Sequence, residues 1–173
     1  MAVSLLRVEA EPLTAAAFEP FGTVIEHTGE GRRHYITEAF RGQEAASQPC
    51  MWISRIVAPT RMPLLIEWME RHPFSTQTFM PLGPTHFLIV VCLGGDNGLP
   101  DPSSFRAFVS RPGQGVTYRR NVWHYGLSVF DTPMDFIVAM SLTGNQDDDV
   151  FHTLERPVQA CLKGDWPSEQ EQM

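Results

Sequence analysis

The chain has 173 residues with 43% of them apolar, which is enough for one packed core of about domain size and excludes global disorder. A net charge of -7, with only 13 Lys and Arg, excludes the basic face that a nucleic-acid binder needs. The longest apolar run, Phe87–Leu93, falls far short of the roughly 20 residues that cross a bilayer, so no membrane partner is expected. In chain order, Met1-Ala-Val-Ser-Leu-Leu-Arg7 lacks a basic region ahead of an apolar stretch, so no secretory signal is expected there. Thr14 is placed to cap a short helix over Ala15–Phe18, which Pro20-Phe21-Gly22 ends. Strands are expected at Thr23–Glu26, Met51–Val57, Leu64–His72, Gln77–Pro81, Phe87–Leu93, Phe105–Ser110, Val116–Tyr118, Val122–Tyr125 and Asp135–Met140. Turn formers such as Pro63, Pro73, Gly83-Pro84, Gly94-Gly95 and Pro112-Gly113 separate them. Thr28–Pro49 carries little apolar periodicity and reads as a mobile segment, and the polar stretch 163–173 reads as a frayed tail.

No fixed-period repeat and no strand–helix alternation is present, which argues against a doubly wound α/β sheet. The pattern predicts an all-β chain: an antiparallel jelly-roll barrel with a short N-terminal helix, one domain over 1–162. Cys50, Cys92 and Cys161 are odd in number and form no CxxC pair, which suits free thiols in a reducing cytoplasm.

Two clusters concentrate chemistry. If Leu64–His72 is a regular strand, Ile66, Trp68, Glu70 and His72 share one face, with Glu67, Met69 and Arg71 on the other. Gln77 and Phe79 can return beside them after the turn at Pro73–Thr76. In the second cluster, Tyr118, Arg120, Val122 and His124 share a face unless Arg119–Asn121 is a turn. Histidine titrates near neutrality and arginine grips carboxylates through two parallel hydrogen bonds. His72, His124 and Glu70 are therefore the acid/base candidates, Arg71 and Arg120 are fork donors suited to an anion, and Gln77 and Tyr118 can each donate and accept a hydrogen bond. Glu70, His72 and His124, with Gln77 as a fourth oxygen donor, also make a plausible metal-ligand set. The same atoms serve either role.

Other residues have plainer readings. His86 reads as structural, and His27, His34 and His152 as surface groups. Asp147-Asp148-Asp149 lacks the alternating ligands and glycine of a calcium loop and reads as solvated. Trp52, Trp68 and Phe79 read as core.

Glu70-x-His72, Gln77, Gly83 and His124 resemble, in degenerate form, the two histidine-bearing motifs of cupins. Longer stretches sharpen the likeness. Leu13–Ile25, Glu70-Arg-His-Pro73 with Gln77-x-Phe79-x-Pro81, Arg106–Val109, Gln114-Gly-Val-x-Tyr118, Asn121-Val-Trp-His124 and Asp135-Phe136 together resemble the ureidoglycolate lyase family. The resemblance implies a cupin-like barrel, a homodimer, and a carbon–nitrogen lyase that splits (S)-ureidoglycolate into glyoxylate and urea in allantoin catabolism. It also implies a divalent metal, with nickel the ion associated with the family. Tyr125-Gly126 and Met140-Ser141 depart from the family pattern, which keeps two alternatives open. One is a diverged cupin hydrolase or isomerase of another small carboxylate. The other is a cupin that binds a small molecule without turning it over.

Overall fold

The computed structural model describes residues 5–164, so the frayed tail expected over 163–173 lies almost wholly outside the described residues, as do the first residues of the N-terminal segment. The strands are β1 (Leu6–Pro12), β2 (Gly22–Ile25), β3 (Gln48–Ile56), β4 (Leu64–Arg71), β5 (Gln77–Pro81), β6 (Phe87–Cys92), β7 (Arg106–Val109), β8 (Gly115–Tyr118), β9 (Trp123–His124), β10 (Ser128–Val129), β11 (Met134–Leu142) and β12 (Val150–Cys161). The one α-helix among the described residues, α1 (Ala15–Phe18), starts where Thr14 Oγ1 accepts the Ala17 N–H at 3.2 Å.

A seven-stranded sheet runs β10-β6-β7-β1-β12-β4-β9, and an extra β6–β9 pairing closes β6, β7, β1, β12, β4 and β9 into a ring. A five-stranded sheet, β2-β8-β5-β11-β3, packs against it. The pairing is antiparallel as expected except at β1, which runs parallel to both β12 and β7. Its two neighbours are distant in the chain, so no hairpin dictates its direction.

The closed ring explains why β6 is apolar at every position. Phe87, Ile89 and Val91 enter the core between the sheets, with Phe18, Phe108, Tyr118 and Phe136. Leu88, Val90 and Cys92 enter a second core inside the ring, with Ile66, Met69 and Trp123. A strand buried on both faces reads as a continuous apolar run. Within the five-stranded sheet, β8 approaches β5 closely, and a Cβ on Gly115 would lie 2.5 Å from the Phe79 carbonyl oxygen. Only glycine fits there.

Several expectations need correction. Ile66 does not share a face with Glu70: it lies in the ring's core beside Met69. Opposite it, the β12 ladder jumps from Thr153 to Val158, and that irregularity resets which face each β4 residue takes. Trp52 and Trp68 are each 37% exposed, so neither is core, whereas Phe79 is. Trp68 instead stacks outside the ring against Tyr125 and Phe151. His152 is half-buried beside Trp123 rather than on the open surface. The 28–47 segment is irregular but tied down: Gln43 N–H donates to Phe74 O at 2.7 Å, and Ser141 Oγ donates to Phe40 O at 2.8 Å. His86 has the structural role expected, its Nδ1 2.7 Å from Ser110 O.

Candidate active site

The site forms where β4 ends. Glu70 pairs across the ladder with His124 of β9, and His124 also pairs with Val91 of β6, so the short β9 hangs between two strands. The turn before it is the alternative that the sequence left open. Asn121 takes φ 64°, and its N–H donates to the carbonyl of His72 at 3.0 Å. That bond ties the turn to the residue after β4. Glu70, His72 and His124 therefore converge, their ligating atoms all within 4.8 Å of one another.

The hydrogen bonds fix how each imidazole presents itself. His124 Nδ1 lies 3.0 Å from Val122 O, and His72 Nδ1 lies 3.0 Å from Asp148 O. A carbonyl oxygen can only accept, so each Nδ1 carries a proton and each neutral ring offers a bare lone pair at Nε2. Both Nε2 atoms are buried without a hydrogen-bond partner. His124 Nε2 is 3.4 Å from Glu70 Oε1, a distance outside good hydrogen-bond geometry at which the two attract only when the ring is protonated. Gln77, the first residue of β5, adds a buried Oε1 that also lacks a partner. Three buried lone-pair atoms left unsatisfied beside one carboxylate, His72 Nε2, His124 Nε2 and Gln77 Oε1, call for an explanation, and a cation or a substrate supplies one.

Electrostatics agree with that arrangement. Burial pushes the Glu70 carboxyl up, but contact with His124 and the charge of the two histidines outweigh it and hold it below the ordinary range. Burial pulls His124 below the usual histidine value despite Glu70. Burial, then the Glu70 charge, raises Tyr118. The consequence for stability has one sign. As pH falls below about 6.5, the unfolded chain protonates its histidine before folded His124 does, and below the ordinary glutamate value Glu70 adds to the effect in the same direction. With chelator present, the unfolding free energy from urea titration is expected to be lower at pH 5.5 than at pH 7.5, with a smaller difference in His124→Gln. An equal or higher value at pH 5.5 would contradict the assigned environments.

The cluster opens into a cavity of about 610 Å³. Glu70, His72, Gln77, Asp148 and Asp149 form its polar wall, and Trp52, Met140 and Leu142 its apolar one. Among the described residues no Lys or Arg lines it. Arg71 projects to the other side of β4, where Nη1 donates to Gly98 O at 3.0 Å and the guanidinium sits 4.8 Å over the Trp123 ring. Arg120 is exposed in the turn. Tyr118 lies behind His124, stacked at 4.4 Å and 20°, and supports the ring from the core side. The structure thus brings together Glu70, His72, Gln77 and His124, and places Arg71 and Arg120 elsewhere.

Sequence reasoning missed Asp148 and Asp149. Far from being solvated, Asp148 is buried, and its carboxylate accepts Phe74 N–H at 2.6 Å and Ser75 Oγ–H at 2.5 Å. Asp149 Oδ1 lies 3.1 Å from His72 Nδ1. The available signal was the acidic run itself, which closes the connection after a strand that pairs with Gln77.

Residues 5–160 match the family model described as ureidoglycolate lyase. A ureidoglycolate lyase of Agrobacterium fabrum is 43% identical over 140 residues, covering 76% of this chain and 82% of that protein. One from Mesorhizobium japonicum is 38% identical over 145 residues, covering 78% and 86%. One from Salmonella newport is 36% identical over 145 residues, covering 78% and 87%.

Proposed function

The chain belongs to the ureidoglycolate lyase family, and from that premise we propose that it cleaves (S)-ureidoglycolate to glyoxylate and urea. One observation carries the reading: two bare imidazole Nε2 atoms and an ionised carboxylate converge, and Glu70 and His72 open that cluster into one cavity. The substrate is a hemiaminal that carries a carboxylate. Its cleavage needs a base for the hydroxyl proton, an acid for the leaving nitrogen and a positive charge for the carboxylate.

Glu70 is the base in this reading. It takes the hydroxyl proton as the C–O bond becomes a carbonyl. The C–N bond breaks with its electrons going to nitrogen, and Glu70 returns the proton there. Protons balance, and glyoxylate and urea leave. Gln77 Oε1 accepts an N–H of the ureido group, which is the partner it lacks within the protein.

The positive charge must come from elsewhere than the protein's arginines, since none lines the cavity. His72 and His124, with Glu70 and Gln77 beside them, fit a divalent cation: two neutral imidazoles with fixed tautomers, a carboxylate and an amide oxygen. Nickel is the ion this reading assigns. When bound, such a cation supplies the charge that draws in the carboxylate and acidifies the hydroxyl, so that a carboxylate suffices as base.

The reading includes a cytoplasmic homodimer. Three free cysteines support the compartment. The outer edge of β3, with Met51 and Ile53 exposed, supports a second copy. No helix among the described residues is long and apolar enough to cross a membrane.

The test is release of glyoxylate and urea from (S)-ureidoglycolate by purified protein, with chelator and then with added nickel. Equimolar products that rise on nickel addition are expected. No release above the uncatalysed rate under either condition would reject the activity.

A further inference from the structure

His72 has more than the tautomer-fixing bond it shares in kind with His124. Its Nδ1–H faces two acceptors at once, the Asp148 carbonyl at 3.0 Å and Asp149 Oδ1 at 3.1 Å. The carbonyl alone is enough to set the ring's orientation, as Val122 O does for His124. What Asp149 adds is a negative charge against Nδ1, and charge there raises the electron density at Nε2 on the far side of the ring. The position of Asp149 does not depend on its own packing, for its side chain is 58% exposed. It is set by Asp148, whose buried carboxylate is bolted to Phe74 N–H and Ser75 Oγ–H just beyond His72. The loop before it is shaped by Gly144 at φ 83°, Gln146 at φ 59° and a hydrogen bond from Thr143 to Asp147.

We propose that Asp149 is a positioning residue that strengthens His72 Nε2 as a donor to a divalent cation in the cavity, with Asp148 the anchor that holds it in place. This rests on the site being a cation centre, as proposed above. Glu70 and His124 face the same side of His72 and are unchanged by altering Asp149. The neighbouring Asp147 is exposed and belongs to the same acidic run without contacting His72, so it serves as the control for net charge.

The experiment is calorimetric titration of nickel into chelator-stripped full-length protein. Asp149→Asn is expected to weaken nickel binding about 10- to 100-fold, with an unfolding midpoint in chelator close to the wild type. Asp149→Glu, which keeps the charge, is expected to stay nearer the wild type, and Asp147→Asn within about twofold of it. Equal affinity in wild type and Asp149→Asn would overturn the proposal, as would an equal loss in Asp147→Asn or a wild type that takes up no nickel. If nickel binds with the expected ranking but no glyoxylate is released, the proposed activity falls and this inference stands.

Discussion

Glu70→Gln is expected to lower kcat on (S)-ureidoglycolate about 10²- to 10⁴-fold at saturating nickel, the range lost when a positioned general base is removed. The substitution preserves shape and removes charge. A glutamine amide can donate toward His124 Nε2, which stands 3.4 Å from Glu70 Oε1 without a partner, so the fold is not expected to suffer. Loss of activity therefore reports chemistry rather than collapse. Nickel titration separates the two duties of Glu70, since a lost ligand is offset by more nickel and a lost base is not. A kcat within about threefold of the wild type at saturating nickel would remove Glu70 from the proton path.

Asp148→Ala is expected to cost about 2–5 kcal/mol of stability, because it strips the acceptor from two groups in one buried turn. The Phe74 N–H and the fully buried Ser75 hydroxyl would be left without the carboxylate that now satisfies both. Each unsatisfied buried group costs about 1–3 kcal/mol, and the two are not strictly additive because they share a partner. Asp148→Asn keeps one acceptor oxygen and should lose clearly less. Urea unfolding of the three proteins checks the order, and a midpoint for Asp148→Ala equal to the wild type would contradict the assigned role. The same turn bears His72, so cation affinity should fall with stability in Asp148→Ala, whereas Asp149→Asn should lose affinity alone.

Much of the architecture was legible in the residues. Alternation and turn formers marked nine strands near their observed places, and Thr14 marked the start of the short α-helix α1. Three strands escaped notice: the two-residue β10 is too short to show alternation, and β1 and β12 were hidden for a physical reason. β1 is rich in charged residues, and β12 carries Pro157 within an irregular stretch where the ladder to β4 shifts. Both look unlike strands until their neighbours are known. The same irregularity explains the misplaced face of Ile66, since strict alternation assumes an unbroken ladder.

Within the site, the residues whose type alone implies chemistry were found: Glu70, His72, Gln77 and His124 line or border one cavity. Arg71 could not be placed from its charge, because one position along a strand sends a side chain to the opposite face and here into contact with Trp123. Asp148 and Asp149 were invisible because their role depends on meeting His72 across more than seventy residues of chain. That meeting exists only once β4 and β12 are paired.

The most direct measurement compares wild type with a His72→Ala/His124→Ala double variant in the same nickel-supplemented assay, following glyoxylate and urea together. A folded double variant should release both products no faster than buffer, while the wild type releases them in equal amounts. Matching rates in the two proteins would mean that the convergence of these histidines has no part in the reaction.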